Sequence, residues 1–344
     1  MSVRLLAAGD HFVLNRLLVD AVRAEVPDGL DISELTLPWP VEPFGPVAEV
    51  HEASGTEDEL IEALRGVRVC VTQMAPITRK VLEAAPDLEL VCVSRGGPVN
   101  VNLDAATERG VSVCSAPGRN AAATAEHTIA MILAAVRRIA PTHQDLLNGV
   151  WRGDYYRYDS VGPELGGSTV GLVGFGAIGS RVARILHAFG ARVLVHDPYV
   201  TADQVAGVAE LTSLDDLLLR SRVVSLHARL TPETTGMMGA AQLAAMPAGS
   251  VIVNCARGAL LDYDAVCDAL DAGHLFGAAF DVFPAEPIPA GSRLLTTPNI
   301  VLTPHLAGAS KETAANAARI VAGEVGRYLR GEPLRCCANP QVRG

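Results

Sequence analysis

The stretch from Ser168 to Asp197 limits the possible folds more than any other. Residues 169–173 form a short β-branched, apolar run of the kind that makes a buried strand. They lead directly into Gly174-Phe175-Gly176-Ala177-Ile178-Gly179. Ile178, Val182, Ile185, Leu186 and Phe189 then recur at helical spacing as far as Gly190, and a second apolar run ends at His196-Asp197. Strand, glycine turn, helix and strand in this order make a βαβ unit, with its glycines spaced so that a pyrophosphate can lie against a helix N-terminus. Gly174 permits the tight turn, Gly176 leaves no Cβ where a phosphate would approach, and Gly179 lets the helix pack closely on the strand. The helix start adds free N–H groups and the positive end of its dipole. Asp197 stands where an acid meets the adenosine ribose, which favours NAD over NADP because a carboxylate repels a 2′-phosphate. The competing reading of Asp197 is a strand-end turn residue before Pro198.

A chain of 344 residues has room for about two domains. Aromatics are only 4% of it against 49% apolar residues overall, so the core must come from Ala, Val and Leu in closely packed α/β layers. The formal net charge of −10 and the lack of any Lys/Arg run argue against nucleic acid as a partner. The seven cysteines have no framework or metal-site spacing. Cys70, Cys92, Cys114 and Cys255 fall in strand-like runs, and the vicinal Cys336-Cys337 cannot make a normal zinc clip. A reducing, cytoplasmic location without a structural metal is expected. The first residues are too short and too soon polar for a signal peptide, and no apolar run is long enough for a bilayer, so no membrane partner is expected.

Before residue 120 the pattern reads strand (3–8), helix (12–25), helix (57–65), strand (67–71), helix (78–85), strand (90–93), helix (103–109) and strand (111–114). Residues 36–56 read as loop with at most one short strand. This alternation predicts a small doubly wound parallel sheet of about five strands, similar in plan to flavodoxin. Residues 121–139 form an Ala-rich helix that Pro141 should stop. Trp151, Tyr155, Tyr156 and Tyr158 cluster beyond it, marking either an interface core or a loop packed on its own domain. Alternation resumes after Asp197, with strands at 223–226, 251–254, 276–281 and 300–303 and a final helix at 311–329. The predicted fold class is α/β, with two doubly wound parallel-sheet domains, one flavodoxin-like and one a Rossmann domain for NAD.

Ligands of open α/β sheets sit outside the carboxyl ends of the strands. Three strands of the second half end in polar groups there: Asn254-Cys255-Ala256-Arg257-Gly258, Asp281 through Glu286-Pro287, and Thr303-Pro304-His305. A guanidinium fork can hold a carboxylate and polarise the adjacent carbonyl. An imidazole can exchange a proton with the carbonyl or alcohol oxygen, and a carboxylate favours and orients the imidazolium. Beside a nicotinamide this set suits hydride transfer between a 2-oxo acid and a 2-hydroxy acid. Taken singly, a His beside Pro or an Arg-Gly is more often a turn residue.

These motifs resemble the D-isomer-specific 2-hydroxyacid dehydrogenase family, the group that includes D-3-phosphoglycerate dehydrogenase. The likeness is strongest over 166–310: the glycine loop 174–179, Asn254–Gly258 continued by Leu261-Asp262, Gly277–Val282 through Glu286-Pro287, and Thr303-Pro304-His305. The resemblance implies Arg257, Glu286 and His305 as the catalytic residues, with Arg257 clamping substrate and Glu286 supporting the acid/base His305. It implies NAD contacts at Gly174, Gly176, Ala177, Ile178, Gly179, Asp197, His227, Thr231, Cys255, Ala256 and Asp281, the last on the nicotinamide carboxamide. It implies a substrate-binding domain of residues 1–118 with 310–344 that offers Arg95, Gly96 and Gly97. The inserted NAD-binding Rossmann domain would span 119–309, with hinges near 116–120 and 307–311. Residues 121–165 would form a dimerisation arm, so a homodimer is expected, with a small 2-hydroxy or 2-oxo acid as substrate and closure of the domains during hydride transfer.

The sequence departs from the family in three places. The loop from Ser94 to Asn102 is about two residues shorter than the commonest form. Pro98 removes a backbone donor there. Arg229 replaces a usual Pro and reads as a solvated surface residue rather than one that touches an anionic group of cofactor or substrate. A C-terminal regulatory domain is not expected, nor is built-in control by a serine-like effector. Two further readings stand beside the dehydrogenase: an NAD-sensing, co-repressor-like binding protein on the same scaffold, and a formate-type enzyme, against which the missing Gln ahead of His305 argues.

Overall fold

Runs such as Val69-Cys70-Val71-Thr72, Leu90-Val91-Cys92-Val93 and Val223-Val224-Ser225-Leu226 are buried at every position. Strands of this kind need helices on both faces, and parallel βαβ connections supply them. The computed structural model describes residues 2–40 and 45–343. Positions 41–44, part of the stretch read above as loop, lie outside the described residues. The chain divides into two units, Met1–Asn120 with Ala309–Gly344, and Ala121–Gly308.

The first unit holds β1 (Val3–Gly9), β2 (Leu30–Thr36), β3 (Val69–Thr72), β4 (Leu90–Val93) and β5 (Ser112–Cys114). All pairs are parallel, in the order β2-β1-β3-β4-β5, the flavodoxin order. Helices Glu57–Ala63, Arg79–Ala84 and Leu103–Glu108 cover one face. Helices Asn15–Glu25 and Lys311–Leu329 cover the other, where Val19 and Val22 meet Ala318, Val321 and Val325. The last helix therefore belongs to the first sheet, and Asn339 ties the segment beyond it to β5 by accepting from Val113 N–H at 2.8 Å.

The second unit holds β6 (Thr169–Val173), β7 (Arg192–His196), β8 (Glu210–Leu211), β9 (Val223–Leu226), β10 (Ser250–Asn254), β11 (Leu275–Phe280) and β12 (Ile300–Leu302). They form one parallel sheet in the order β12-β11-β10-β9-β6-β7-β8. Strand order reverses between β6 and β9, and in such sheets a ligand crevice opens at that switch. Helices Ala121–Val136 and Gly179–Ala188 pack on one face, and Leu214–Arg220, Ala240–Ala245 and Tyr263–Asp271 on the other.

Three local expectations are corrected. β2 lies at Leu30–Thr36, ahead of the stretch where a strand was sought. It is an edge strand whose Leu30, Ile32 and Leu35 are only half-buried, and Asp31, Ser33 and Glu34 break its apolar pattern. β8 is a two-residue edge strand that the sequence reading passed over. The long helix ends at Val136, not at Pro141. Arg138 turns into the left-handed region at φ 51°, and a new helix, Ile139–Leu147, begins directly after it. Pro141 falls in the first turn of that helix, where its missing N–H costs nothing.

Candidate active site

Three loops at the carboxyl edge of the second sheet bring the Arg, the Glu and the His together. After β10, the buried Asn254 braces its loop from inside. Its Nδ2 donates to the Arg257 carbonyl at 2.9 Å and to Tyr263 Oη at 3.1 Å, and its Oδ1 accepts from Ala256 N–H at 3.0 Å. Tyr263 in turn donates to the Val282 carbonyl, linking this loop to the next. Gly258 makes the same link by close approach: a Cβ there would stand 2.1 Å from the Phe283 carbonyl oxygen. With the backbone so fixed, the Arg257 side chain points out exposed, its Nη1 donating to the Ala256 carbonyl at 2.6 Å.

After β11, the Glu286 carboxylate is held at both oxygens. Oε1 accepts from Phe283 N–H at 3.0 Å and Oε2 lies 2.7 Å from His305 Nδ1. Burial alone would raise the pKa of Glu286. The hydrogen bond and charge of His305, the Phe283 N–H and the charge of Arg257 outweigh that and hold it below the usual range. His305 moves the other way: Glu286 raises its pKa by hydrogen bond and charge, against burial and the nearby positive charge of Arg257. Glu286 and His305 thus feel Arg257 as well as each other, and the imidazole Nε2 is left for a ligand. His305 adopts φ 54°, uncommon for a non-glycine residue and frequent at functional sites.

Asp281 is what holds His305 in that conformation. It is fully buried, and its Oδ1 accepts from Thr303 Oγ1 at 2.6 Å and Leu306 N–H at 2.8 Å, while Oδ2 accepts from Ala307 N–H at 2.8 Å. Asp281 thereby clamps the loop that carries His305. His127, from helix Ala121–Val136, completes the clamp, with Nε2 3.0 Å from Thr303 Oγ1 and 3.5 Å from Asp281 Oδ1. Asn254, Tyr263, His127 and Thr303 were not named as site residues from the sequence. A buried Asn ending an apolar strand was a usable signal; a His inside an Ala-rich helix was not.

The glycine loop lies at the β6/β9 switch. Gly174 has φ 105°, and a Cβ there would meet the His227 backbone at 2.7 Å; at Gly179 it would strike the Gly174 carbonyl at 2.2 Å. A Cβ at Gly176 would meet nothing within 4 Å, so this turn faces open space. The exposed Ala177 and half-buried Ile178 continue it into helix Gly179–Ala188. Asp197, at the end of β7, accepts from Phe175 N–H at 2.7 Å and Tyr199 N–H at 2.9 Å, which ties it to the loop. His227 follows β9, has its pKa lowered by burial and lies 3.0 Å from Ser225 Oγ through Nε2. Thr231 belongs to a turn closed by Thr234, and Cys255 is buried, its thiol pushed up to about 12. A Cβ-free turn against open space, a helix start and a ribose-distance acid fit NAD. No group of His, Cys, Asp and Glu among the described residues could hold a metal ion.

Residues 129–307 match the family model for the D-isomer specific 2-hydroxyacid dehydrogenase, NAD binding domain. The chain belongs to the D-isomer specific 2-hydroxyacid dehydrogenase family. It is 40% identical over 304 residues to D-3-phosphoglycerate dehydrogenase of Mycobacterium bovis, covering 88% of this chain and 57% of that protein. It is 37% identical to the glyoxylate reductase of Korarchaeum cryptofilum, over 85% of this chain and 88% of that one. The crystal structure of the TT0316 protein from Thermus thermophilus superposes with a TM-score of 0.77 at 32% identity, covering 97% and 99% of the two chains. The chain thus spans little more than half the length of the phosphoglycerate dehydrogenases it matches. The residues matched by that NAD-binding domain model fall within the second unit, and NAD is the cofactor.

Of the residues expected to bind substrate, Arg95, Gly96 and Gly97 lie in the first unit, in the loop after β4. Gly96 is exposed and Gly97 half-buried, and neither has an atom within 4 Å of the position a Cβ would take. Arg95 is committed within its unit, pairing with the Glu52 carboxylate and donating to the Glu52 carbonyl at 3.1 Å. Arg229 is exposed, in keeping with its reading as a solvated residue.

Proposed function

We propose that this family member is an NAD-dependent dehydrogenase that interconverts a D-2-hydroxy acid and its 2-oxo acid. The observation that carries the reading is the 2.7 Å contact of His305 Nδ1 with Glu286 Oε2 beside the exposed Arg257. Bound NADH supplies a hydride. Arg257 clamps the substrate carboxylate and draws electron density onto the carbonyl oxygen. His305, kept protonated by Glu286, gives its Nε2 proton to that oxygen, and the balance is 2-oxo acid, NADH and one proton to 2-hydroxy acid and NAD. In the reverse direction neutral His305 takes the alcohol proton. Gly174–Gly179, Asp197, His227, Thr231, Cys255 and Ala256 are the residues that would hold NAD. The first unit supplies the substrate-binding loops, Gly96 and Gly97 among them.

The protein works as a homodimer in the cytoplasm, joined through the exposed apolar face of residues 139–161. No helix among the described residues is long and apolar enough to cross a membrane. A co-repressor-like role finds no support, since the relatives named above are a dehydrogenase and a reductase. The test is NADH oxidation with a panel of 2-oxo acids from glyoxylate to phosphohydroxypyruvate and four-carbon acids. At least one should turn over, and His305→Ala should cost on the order of 10²–10⁴-fold in kcat. Turnover that survives His305→Ala would remove the imidazole from the reaction.

A further inference from the structure

Four of the seven cysteines meet beside the outer strand of the first sheet, all as free thiols. β5 is the last strand in the sheet order, which leaves its outer side open to a further strand. The segment after the last helix takes that place, antiparallel to β5, with Cys337 opposite Cys114. Ser115 N–H donates to the Cys336 carbonyl at 3.0 Å, and Ala338 N–H donates to the Val113 carbonyl at 2.7 Å. These bonds flank the two cysteines, so Cys114 and Cys337 form the non-hydrogen-bonded pair of the ladder. Opposite side chains come closest in such a pair, whose Cα atoms stand roughly 4.5 Å apart. A disulfide spans that separation. On the inner side of Cys114 the parallel register sets Cys92. Cys92, Cys114 and Cys337 all pack on the face that the last helix covers.

These thiols differ in access. Cys92 and Cys114 are fully buried, whereas Cys336 and Cys337 are half-buried, so a reagent from solvent meets the outer segment first. Cys114 has a base beside it. Its Sγ donates to Glu324 Oε2 at 3.6 Å, and that carboxylate, buried on the last helix, also accepts from Arg335 N–H at 3.0 Å. A carboxylate so placed can take the thiol proton when Cys114 reacts. Burial raises the pKa of Cys337, and the Cys114 thiol adds to the rise. Little thiolate is then present at neutral pH, and the pair follows the slow thiol–disulfide balance of its surroundings rather than a burst of peroxide.

We propose that Cys337 and Cys114 are a thiol modification site: a low-molecular-weight disulfide oxidises them to a disulfide that fastens the segment after the last helix to β5. The Cys337 thiolate attacks the small disulfide, forming a mixed disulfide and releasing one small thiol. Cys114 passes its proton to Glu324 and attacks the Cys337 sulfur, releasing the second small thiolate, which takes up that proton. Two protein thiols lose two electrons and two protons, and one small disulfide becomes two small thiols. In the reduced state the segment is held by the two backbone bonds and by Asn339; in the oxidised state it is held covalently. In a reducing compartment such a bond is transient and answers to the thiol poise.

The test exposes the reduced, folded protein to oxidised glutathione, blocks the remaining thiols with N-ethylmaleimide, and maps disulfides by mass after tryptic digestion without reductant. Trypsin places Cys92, Cys114 and the Cys336-Cys337 pair in three peptides, residues 81–95, 110–119 and 336–343. The expected product joins 110–119 to 336–343. The link should survive in Cys336→Ser and vanish in Cys337→Ser, where Cys114 stays free. Oxidation should raise the melting temperature of the wild type by about 5 °C or more, because the bond closes a loop over most of the chain. Cys337→Ser should show no rise. Thiols that stay free in the oxidised wild type overturn the proposal. So does a mixed disulfide with glutathione that never closes, a link between 81–95 and 110–119, or a link from 110–119 that persists in Cys337→Ser.

Discussion

His305 and Glu286 perturb each other in opposite directions, and the signs fix how the reaction should follow pH. The Glu286 carboxylate stabilises the imidazolium, so the pKa of His305 stands above its ordinary value. In the proposed reaction, reduction of the 2-oxo acid needs that proton. It should be fastest below the raised pKa and fall as pH rises through it, while oxidation of the 2-hydroxy acid should rise over the same interval. Glu286→Gln keeps the shape and removes the charge. In the variant the midpoint of both profiles should move down toward the ordinary imidazole range, so that reduction fails at a lower pH than in the wild type. The pH dependence of kcat/KM in both directions measures this. A variant with lower kcat but an unmoved midpoint would reduce Glu286 to a steric support.

Among the elements, what counts is how the three strand-end loops are locked to one another. Gly258 shows the tolerance: its missing Cβ is the space taken by the Phe283 carbonyl, 2.1 Å away, in the loop that carries Glu286. Gly258→Ala must push these backbones apart. The expected result is a loss of about 1–3 kcal/mol of stability, read in a denaturant melt. kcat should fall more than KM rises, because Arg257 and Glu286 lose their common frame. Much of this arrangement was legible in the sequence. Fully apolar runs ending in Asn254, Asp281 and Thr303 announced buried parallel strands, and the residues after them announced the edge where ligands bind. What stayed hidden depended on partners distant in the chain. Nothing local tells that Asp281 serves the Leu306 and Ala307 N–H groups, or that His127 reaches Thr303 across 176 positions. β2 escaped because an edge strand buries too little to show a clean pattern, and the break at Arg138 escaped because Pro141 offered a more obvious stop.

For the molecule as a whole, the unanswered feature is the apolar surface that follows helix Ala121–Val136. In a chain with few aromatics, Trp151, Tyr156 and Tyr158 are 86%, 93% and 91% exposed, and Leu146 and Leu147 beside them are 55% and 68% exposed. Contiguous apolar groups of this size are unusual on a free monomer and are enriched at the centres of subunit interfaces. Tyr155 differs from its neighbours: its Oη donates to Asp145 at 2.8 Å and Arg152 stacks 4.7 Å over its ring, which fixes the segment against helix Ile139–Leu147. The arm is therefore held in shape by its own polar contacts while its large apolar groups face outward, as expected of a surface made for a second copy. A stable symmetric pair buries roughly 800 Å² on each partner, and placing charge in the middle of such a patch should separate it. Leu147→Glu combined with Trp151→Glu leaves the Tyr155–Asp145 hydrogen bond and the Arg152 stack in place, so each subunit should still fold. Sedimentation should find the wild type at twice the chain mass and the double variant at once that mass, with normal circular dichroism. A variant that stays dimeric would place the seam elsewhere and return the aromatic cluster to a local role.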